Sequence, residues 1–163
     1  DLIKKINKNA MKRAMRCDKY TIAALYSLLK IYQNPKKAID EIPTLKFLTR
    51  KKDEIREQAE RIYNKIEPLF REQIKVRIVN CFSQMGSGTL PNISIPSAGI
   101  AFTHCDKKKN GLFPIKFAEK LRKLPTPIIG RINDGALVLD LRCLEKDTDL
   151  IKQLKSLKIG WEL

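Results

Sequence analysis

The chain has 163 residues, which is enough for one sizeable core or for a small domain with a helical extension. Its 33 Lys and Arg residues against 18 Asp and Glu residues give a net charge of +15, a balance typical of polyanion-binding proteins and also of Lys-rich proteins with solvated surfaces. No apolar run reaches the roughly 18 residues of a membrane-spanning helix, and four widely spaced cysteines with one histidine leave no zinc site of ordinary ligand spacing. Nothing resembles a signal peptide, so we expect a cytoplasmic protein with free thiols.

The first half of the chain has a helical pattern. All seven glycines lie at or beyond Gly86, and their absence from the preceding residues favours helices. Apolar spacing predicts a first helix over residues 1–16. Asp18 is a suitable N-cap for a second helix that ends near Asn34, and a short helix over residues 35–42 is predicted to stop at the next proline.

A longer amphipathic helix is predicted from Lys51 onward, kinked or restarted at Pro68. Its apolar residues recur at spacings of four and three, and we interpret this stripe as core packing with the charged side facing solvent. The stripe consists of Ile55, Ala59, Ile62, Ile66 and Leu69.

After Gln73 the pattern changes to that of strands. The predicted elements are a strand over 74–82, one or two strands over 93–102 around Pro96, a helix over 114–124, a hairpin over 128–141 and a closing helix over 149–157. The hairpin turn is Asn133-Asp134-Gly135, three residue types that tolerate the positive φ angles of tight turns. We therefore predict an α+β fold, with a helical segment over 1–73 and a small antiparallel sheet with helices on one face over 74–163.

Two short motifs suggest chemistry without specifying it. The segment 86–91, GSGTLP, is a candidate phosphate loop, but it lacks the Lys-Ser/Thr of a P-loop and is more simply a turn between strands. His104 and Cys105 would be a catalytic pair if the imidazole activated the thiol. Sequence neighbours in an extended segment point to opposite faces, however, which argues against such a pair. We interpret the lysine-rich segment 107–111 as a solvated loop.

The candidate functional residues are Arg13 and Arg16. At a spacing of i, i+3 on the predicted first helix they share a face, where two planar guanidinium groups can grip a phosphate or a similar oxyanion. Lys12 and Lys19 add to the local positive charge. The alternative is an ordinary basic surface exposed to solvent.

Several segments together resemble bacterial selenocysteine synthases, the L-seryl-tRNA(Sec) selenium transferases. They occur in the family's order and span nearly the whole chain, and no single one of them would suffice. They are KRAMRCDK at 12–19, AAL at 23–25, EIPTL at 41–45, GSGTLP at 86–91 and LPTPIIGRINDGALVLDLR at 124–142.

This resemblance implies a C-terminal fragment of a fold-type-I pyridoxal-phosphate enzyme. Residues 1–73 would link the large and small domains, and residues 74–163 would form the small C-terminal domain. The family uses pyridoxal phosphate to activate the seryl group of seryl-tRNA(Sec) for loss of its hydroxyl, and selenium from selenophosphate is then added. The resemblance also implies that the whole enzyme is a homo-oligomer, a ring of dimers. We expect no association with a membrane.

The family's cofactor-binding lysine belongs to a motif that this chain does not contain. The chain is expected to start just downstream of that motif, and its start at Asp1 without Met agrees with this expectation. No lysine here is therefore assigned to the Schiff base, and the fragment alone is expected to be inactive. Arg13 and Arg16 match family arginines implicated in binding the selenium-donor phosphate or a leaving oxyanion. Asp18 is interpreted as a helix cap, and Arg131 and Arg142 as sheet-surface residues.

Two alternatives remain open on the sequence alone. One is a fragment of a related pyridoxal-phosphate ammonia-lyase that acts on a small substrate, because such enzymes share the fold. The other is a free-standing basic module that binds nucleic acid, which the net charge of +15 would suit.

Overall fold

The computed structural model describes residues 1–70, 73–85, 94–106, 108 and 111–157. Their helices are α1 Leu2–Lys8, α2 Lys19–Tyr32, α3 Pro35–Glu41, α4 Pro43–Thr49, α5 Lys52–Phe70, α6 Phe113–Arg122 and α7 Asp147–Ser156, with a 3₁₀ helix at Ala10–Arg13. Their strands are β1 Ile74–Gln84, β2 Ser94–His104, β3 Arg131–Asn133 and β4 Ala136–Asp140. The chain forms two compact units, Asp1–Lys46 and Phe47–Leu163, and its α+β class is the one predicted.

The predicted helix over residues 1–16 is wrong beyond Lys8. Asn9 has an extended backbone, with ψ at 129°, and its side-chain Oδ1 accepts a hydrogen bond from the amide of Met11 at 2.9 Å. Asparagine competes in this way for backbone donors and favours helix caps over helix interiors. The chain therefore stops α1 and starts a separate 3₁₀ turn.

The start of α2 is as predicted. The Asp18 carboxylate accepts hydrogen bonds from the amides of Tyr20 at 2.8 Å and Thr21 at 3.0 Å, and from the Thr21 hydroxyl at 2.7 Å. These bonds, chiefly those from Thr21, lower the pKa of Asp18 below its ordinary value of 3.8. The cap is thus a carboxylate held in its charged form.

Pro43, which was predicted to end α3, also begins the next helix. Helix α3 does end at Glu41, but Pro43 begins a further helix, α4, which the sequence analysis missed. A proline fits the first position of a helix, because its fixed φ suits the helix and its missing amide hydrogen would have had no partner there.

The second unit is a four-stranded antiparallel sheet in the order β1-β2-β4-β3. Side chains of α5, α6 and α7 pack on one face of this sheet. On that face the strand residues are aligned in rows, such as the row of Val76, Phe102 and Leu137. The predicted stripe of α5 is buried here except for the partly buried Leu69. Helices on one face of the sheet are therefore confirmed.

Two strand predictions are refined by the structure. Strand β2 runs without interruption through Pro96, which pairs with Phe82 of the edge strand β1. The hairpin turn lies where it was predicted, with φ at 47° for Asp134 and 71° for Gly135.

Candidate functional site

Arg13 and Arg16 lie in the short connection between α1 and α2. Arg13 is the last residue of the 3₁₀ helix, and Arg16 follows three residues later outside any helix, so the predicted shared helix face is not present. Both side chains are exposed, and neither guanidinium makes a hydrogen bond or an ion pair with the residues that the structure describes. Their donors are therefore available to a ligand.

The surroundings of these arginines are strongly basic. Residues 12–19 carry four basic side chains and a single carboxylate, that of Asp18. That carboxylate is already used by the N-terminus of α2, and Lys19 lies 5.5 Å from the ring centre of Tyr20. The segment can therefore attract an anion, and the two guanidinium groups supply the planar donors that recognise phosphate-like oxygens.

Arg142 lies inside the second unit, so its interpretation as a sheet-surface residue is wrong. It is only 3% exposed, and its guanidinium donates to the carbonyl oxygens of Phe47 at 2.8 Å, Arg50 at 2.9 Å and Pro96 at 2.7 Å. Its Nε also donates to the hydroxyl of Ser83 at 3.2 Å. Arg142 is thus a structural residue whose fork of donors joins three separate parts of the chain.

Arg50 makes the reciprocal connection. Its Nη1 donates to the carbonyl oxygens of Leu141 at 3.1 Å, Arg142 at 2.6 Å and Leu144 at 3.2 Å. Burial, and next the positive charge of Arg142, lower the pKa of Arg50. Nothing in the sequence distinguished Arg50 from the other basic residues, because its role depends on carbonyl groups about 90 positions away.

Carboxylates complete two polar networks around these arginines. Asp140 accepts hydrogen bonds from the hydroxyls of Ser83 at 2.5 Å and Ser97 at 2.7 Å. On the other side, the buried amide of Gln58 donates to Asp147 at 2.7 Å and accepts from Arg50 at 2.6 Å. The buried polar groups are thereby satisfied, which is the signature of a structural network.

The remaining candidates contribute no further site. The segment 86–91 lies outside the described residues. His104 accepts a hydrogen bond at Nδ1 from the amide of Asp106 at 2.9 Å, and its ring centre lies 5.7 Å from that of Phe113. The four cysteines are free thiols, as predicted.

Comparison with known proteins identifies the family. A family model described as L-seryl-tRNA selenium transferase matches residues 1–145. The chain belongs to the L-seryl-tRNA selenium transferase family. The resemblance inferred from the sequence motifs is therefore confirmed.

Curated members of the family are similar over almost the whole chain. The L-seryl-tRNA(Sec) selenium transferase of Proteus mirabilis is 45% identical over 152 residues, which is 93% of this chain and 32% of that protein. The corresponding proteins of Serratia proteamaculans and Escherichia fergusonii are 42% and 40% identical, over 95% and 94% of the chain and 33% of each relative. The chain thus spans about a third of the length of these relatives.

No helix in the described part of this selenium transferase family member is both long and apolar enough to cross a membrane.

Proposed function

We propose that this chain is the C-terminal part of an enzyme that converts seryl-tRNA(Sec) to selenocysteinyl-tRNA(Sec), with selenophosphate as the selenium donor. The observation that carries this proposal is the family match over residues 1–145, supported by relatives of that name at 40–45% identity. These matches favour selenium transfer over an ammonia-lyase reaction on a small substrate. The whole enzyme is proposed to be cytoplasmic and to form a ring of dimers.

The proposed cofactor, pyridoxal phosphate, would supply the electron sink for loss of the seryl hydroxyl, and a protein holds it through a Schiff base to a lysine in an enclosed site. Every lysine that the structure describes is exposed, except for the partly buried Lys52. The described residues therefore do not fit a complete cofactor site. We assign the Schiff-base lysine to a part of the enzyme outside this chain, and we expect the chain alone to be inactive.

The proposed contribution of this chain to the reaction is an anion site formed by Arg13 and Arg16. A guanidinium group is charged at every physiological pH and can donate two parallel hydrogen bonds to a phosphate group. Because neither side chain is used by the described part of the protein, both can hold the phosphate of the donor or the oxyanion that leaves. This positions the donor and stabilises the charge that develops on it.

The test uses the full-length enzyme with Arg13→Ala, Arg16→Ala and the double substitution. Loss of charge-assisted hydrogen bonds worth about 1.5–3 kcal/mol should reduce selenium transfer about 10- to 100-fold for each single variant. Loading with pyridoxal phosphate, followed by its absorbance, should remain unchanged. Arg122→Ala, at an exposed arginine of α6, is the matched control.

Each outcome of this test has a distinct meaning. Unchanged transfer kinetics in both single variants would refute the anion site but leave the family reaction in place. A full-length enzyme that ignores seryl-tRNA and instead turns over a small amino acid would refute the proposed reaction and support the lyase alternative.

A further inference from the structure

The first unit, Asp1–Lys46, leaves most of its apolar side chains exposed. Ala38 is the one buried residue in this unit, all of which the structure describes. Burial of apolar surface is the main favourable term in folding, and a unit that buries a single small side chain has no hydrophobic core of its own. The first unit therefore needs a covering surface that the described residues do not supply.

Helix α2, Lys19–Tyr32, is apolar around much of its circumference. Residues 20–29 contain no charged side chain. At 3.6 residues per turn, the exposed side chains of Tyr26 and Leu28 lie about 160° apart around the helix axis. Three more exposed apolar side chains lie between these two, namely those of Ile22, Leu25 and Leu29. A helix of this composition is typical of the interior of a domain and not of its surface.

The other side of α2 is also suited to burial. It carries Ala23, Ala24 and Ser27, which are small and uncharged. The Ser27 hydroxyl donates to the carbonyl oxygen of Ala23 at 3.0 Å, and the Thr21 hydroxyl donates to the Asp18 carboxylate at 2.7 Å. Both hydroxyls keep these partners when water is removed, so covering α2 leaves neither of them unsatisfied.

The length of the relatives shows how much chain is available to cover α2. This chain spans 32–33% of the matched selenium transferases, so about two thirds of each of these proteins lies outside the matched part. A second copy of this chain is a poorer cover. Contact across a two-fold axis uses the same patch on both copies and would cover one side of α2. Apolar side chains spread over about 160° need cover from more than one side.

We propose that α2 is a core helix of a domain whose remainder is the part of the enzyme outside this chain. The first unit then belongs to that domain and is not only a link between two domains. Arg13 and Arg16 lie in the connection directly before α2, so burial of α2 would fix the proposed anion site to that same domain. The inference rests on the proposed function in one respect, namely that this chain is part of a longer enzyme.

The test compares maleimide labelling of Ile22→Cys and Leu28→Cys in this chain and in the full-length enzyme. The two positions lie about 120° apart around α2, and both are exposed in the described structure. We expect labelling at both positions to be about 100-fold slower in the full-length enzyme, because a reagent reaches a core helix only when the protein opens locally. Mass spectrometry of the labelled peptides separates these positions from the native cysteines.

Two controls accompany this comparison. Lys155→Cys, at an exposed charged position of α7 in the second unit, should be labelled at the same rate in both proteins. Amide hydrogen exchange of the unsubstituted proteins repeats the test without any substitution, and the amides of α2 should exchange about 100-fold more slowly in the full-length enzyme.

The outcomes separate this inference from the proposed function. Equal labelling and equal exchange of α2 in the two proteins would show that the helix stays open, and the inference would be wrong. Protection of only one of the two positions, or protection in this chain that increases with its concentration, would identify a second copy as the cover and also contradict the inference. A full-length enzyme that protects α2 but transfers no selenium would refute the proposed function and leave the inference in place.

Discussion

Isoleucine side chains are not buried in helix α2 of the first unit but are buried in helix α5 of the second unit. In α2, Ile22 is 57% exposed and no residue of the helix is buried, although residues 20–29 contain no charged side chain. In α5, which is rich in charged residues, Ile55 and Ile62 are both 0% exposed. An apolar stripe shows which side of a helix would be buried, but only a surface supplied by the fold can bury it.

The arginines of the two units differ in the same way. Arg13 and Arg16 are exposed and leave their donors unused in the described structure. Arg50 and Arg142 use theirs on backbone carbonyl oxygens across the second unit. The contrast separates arginines suited to a ligand from arginines required for the fold.

The largest effect on stability is expected for Arg142→Met. This change leaves the carbonyl oxygens of Phe47, Arg50 and Pro96 without their buried donor, and it should lower the free energy of unfolding by about 4 kcal/mol. Urea unfolding of this chain, followed by circular dichroism, measures the change. Arg131→Met, on the neighbouring strand β3, should cost about 1 kcal/mol or less, because Arg131 is half-exposed. Equal losses would contradict the structural role of Arg142.

The next largest effect is expected when the same substitution, Ile→Ala, is made in α5 and in α2. Ile62→Ala removes a fully buried side chain of α5 and should lower the free energy of unfolding by about 3 kcal/mol. Ile22→Ala, in α2, should change it by less than about 0.5 kcal/mol, because that side chain is already exposed. The same urea titration measures both variants. A large loss for Ile22→Ala would show that α2 is buried in solution.

The smallest effect concerns the Asp18 cap and pH. Hydrogen bonding lowers the pKa of Asp18 in the folded chain, so its stabilising effect is present above the ordinary value of 3.8 and is lost as the pH falls through the lower folded pKa. We expect the amide signals of Tyr20 and Thr21 to shift over that acidic range in NMR spectra, as the start of α2 frays.

Asp18→Asn is the matched variant for this measurement. Asparagine is also a good N-cap but does not titrate, so the acidic transition should disappear while α2 remains. An unchanged transition in Asp18→Asn would mean that another group controls the start of the helix.

The sequence predicted most elements because their signals are local. The Asp18 cap, the stripe of α5 and the Asn-Asp-Gly turn each depend on residues within a few positions, and each lies where it was predicted. The failures at Asn9 and Pro43 are also local, since each residue stops one helix and starts the next. Such residues leave the choice between one continuous helix and two short ones to details that residue patterns do not resolve.

The candidate site shows where sequence reasoning ends. Arg13 and Arg16 were singled out by their i, i+3 spacing and then by the family motif, and their role as an anion site stays a prediction. Arg142 was placed on the sheet surface because it lies in the hairpin segment that matches the family. Strand β4 ends at Asp140, however, and the chain then turns Arg142 into the interior.

Residue order alone therefore determined the family, the α+β class, the Asp18 helix cap and the hairpin turn, because each depends on motifs or on neighbours along the chain. Only the tertiary structure decided which arginines are buried, which face of the sheet the helices cover and which apolar stripe is buried. These properties arise from pairs such as Arg50 with Leu141 and Arg77 with Ala101, which are distant in sequence and adjacent in space. Burial and the supply of hydrogen-bond partners depend on that adjacency, so they cannot be assigned from either segment alone.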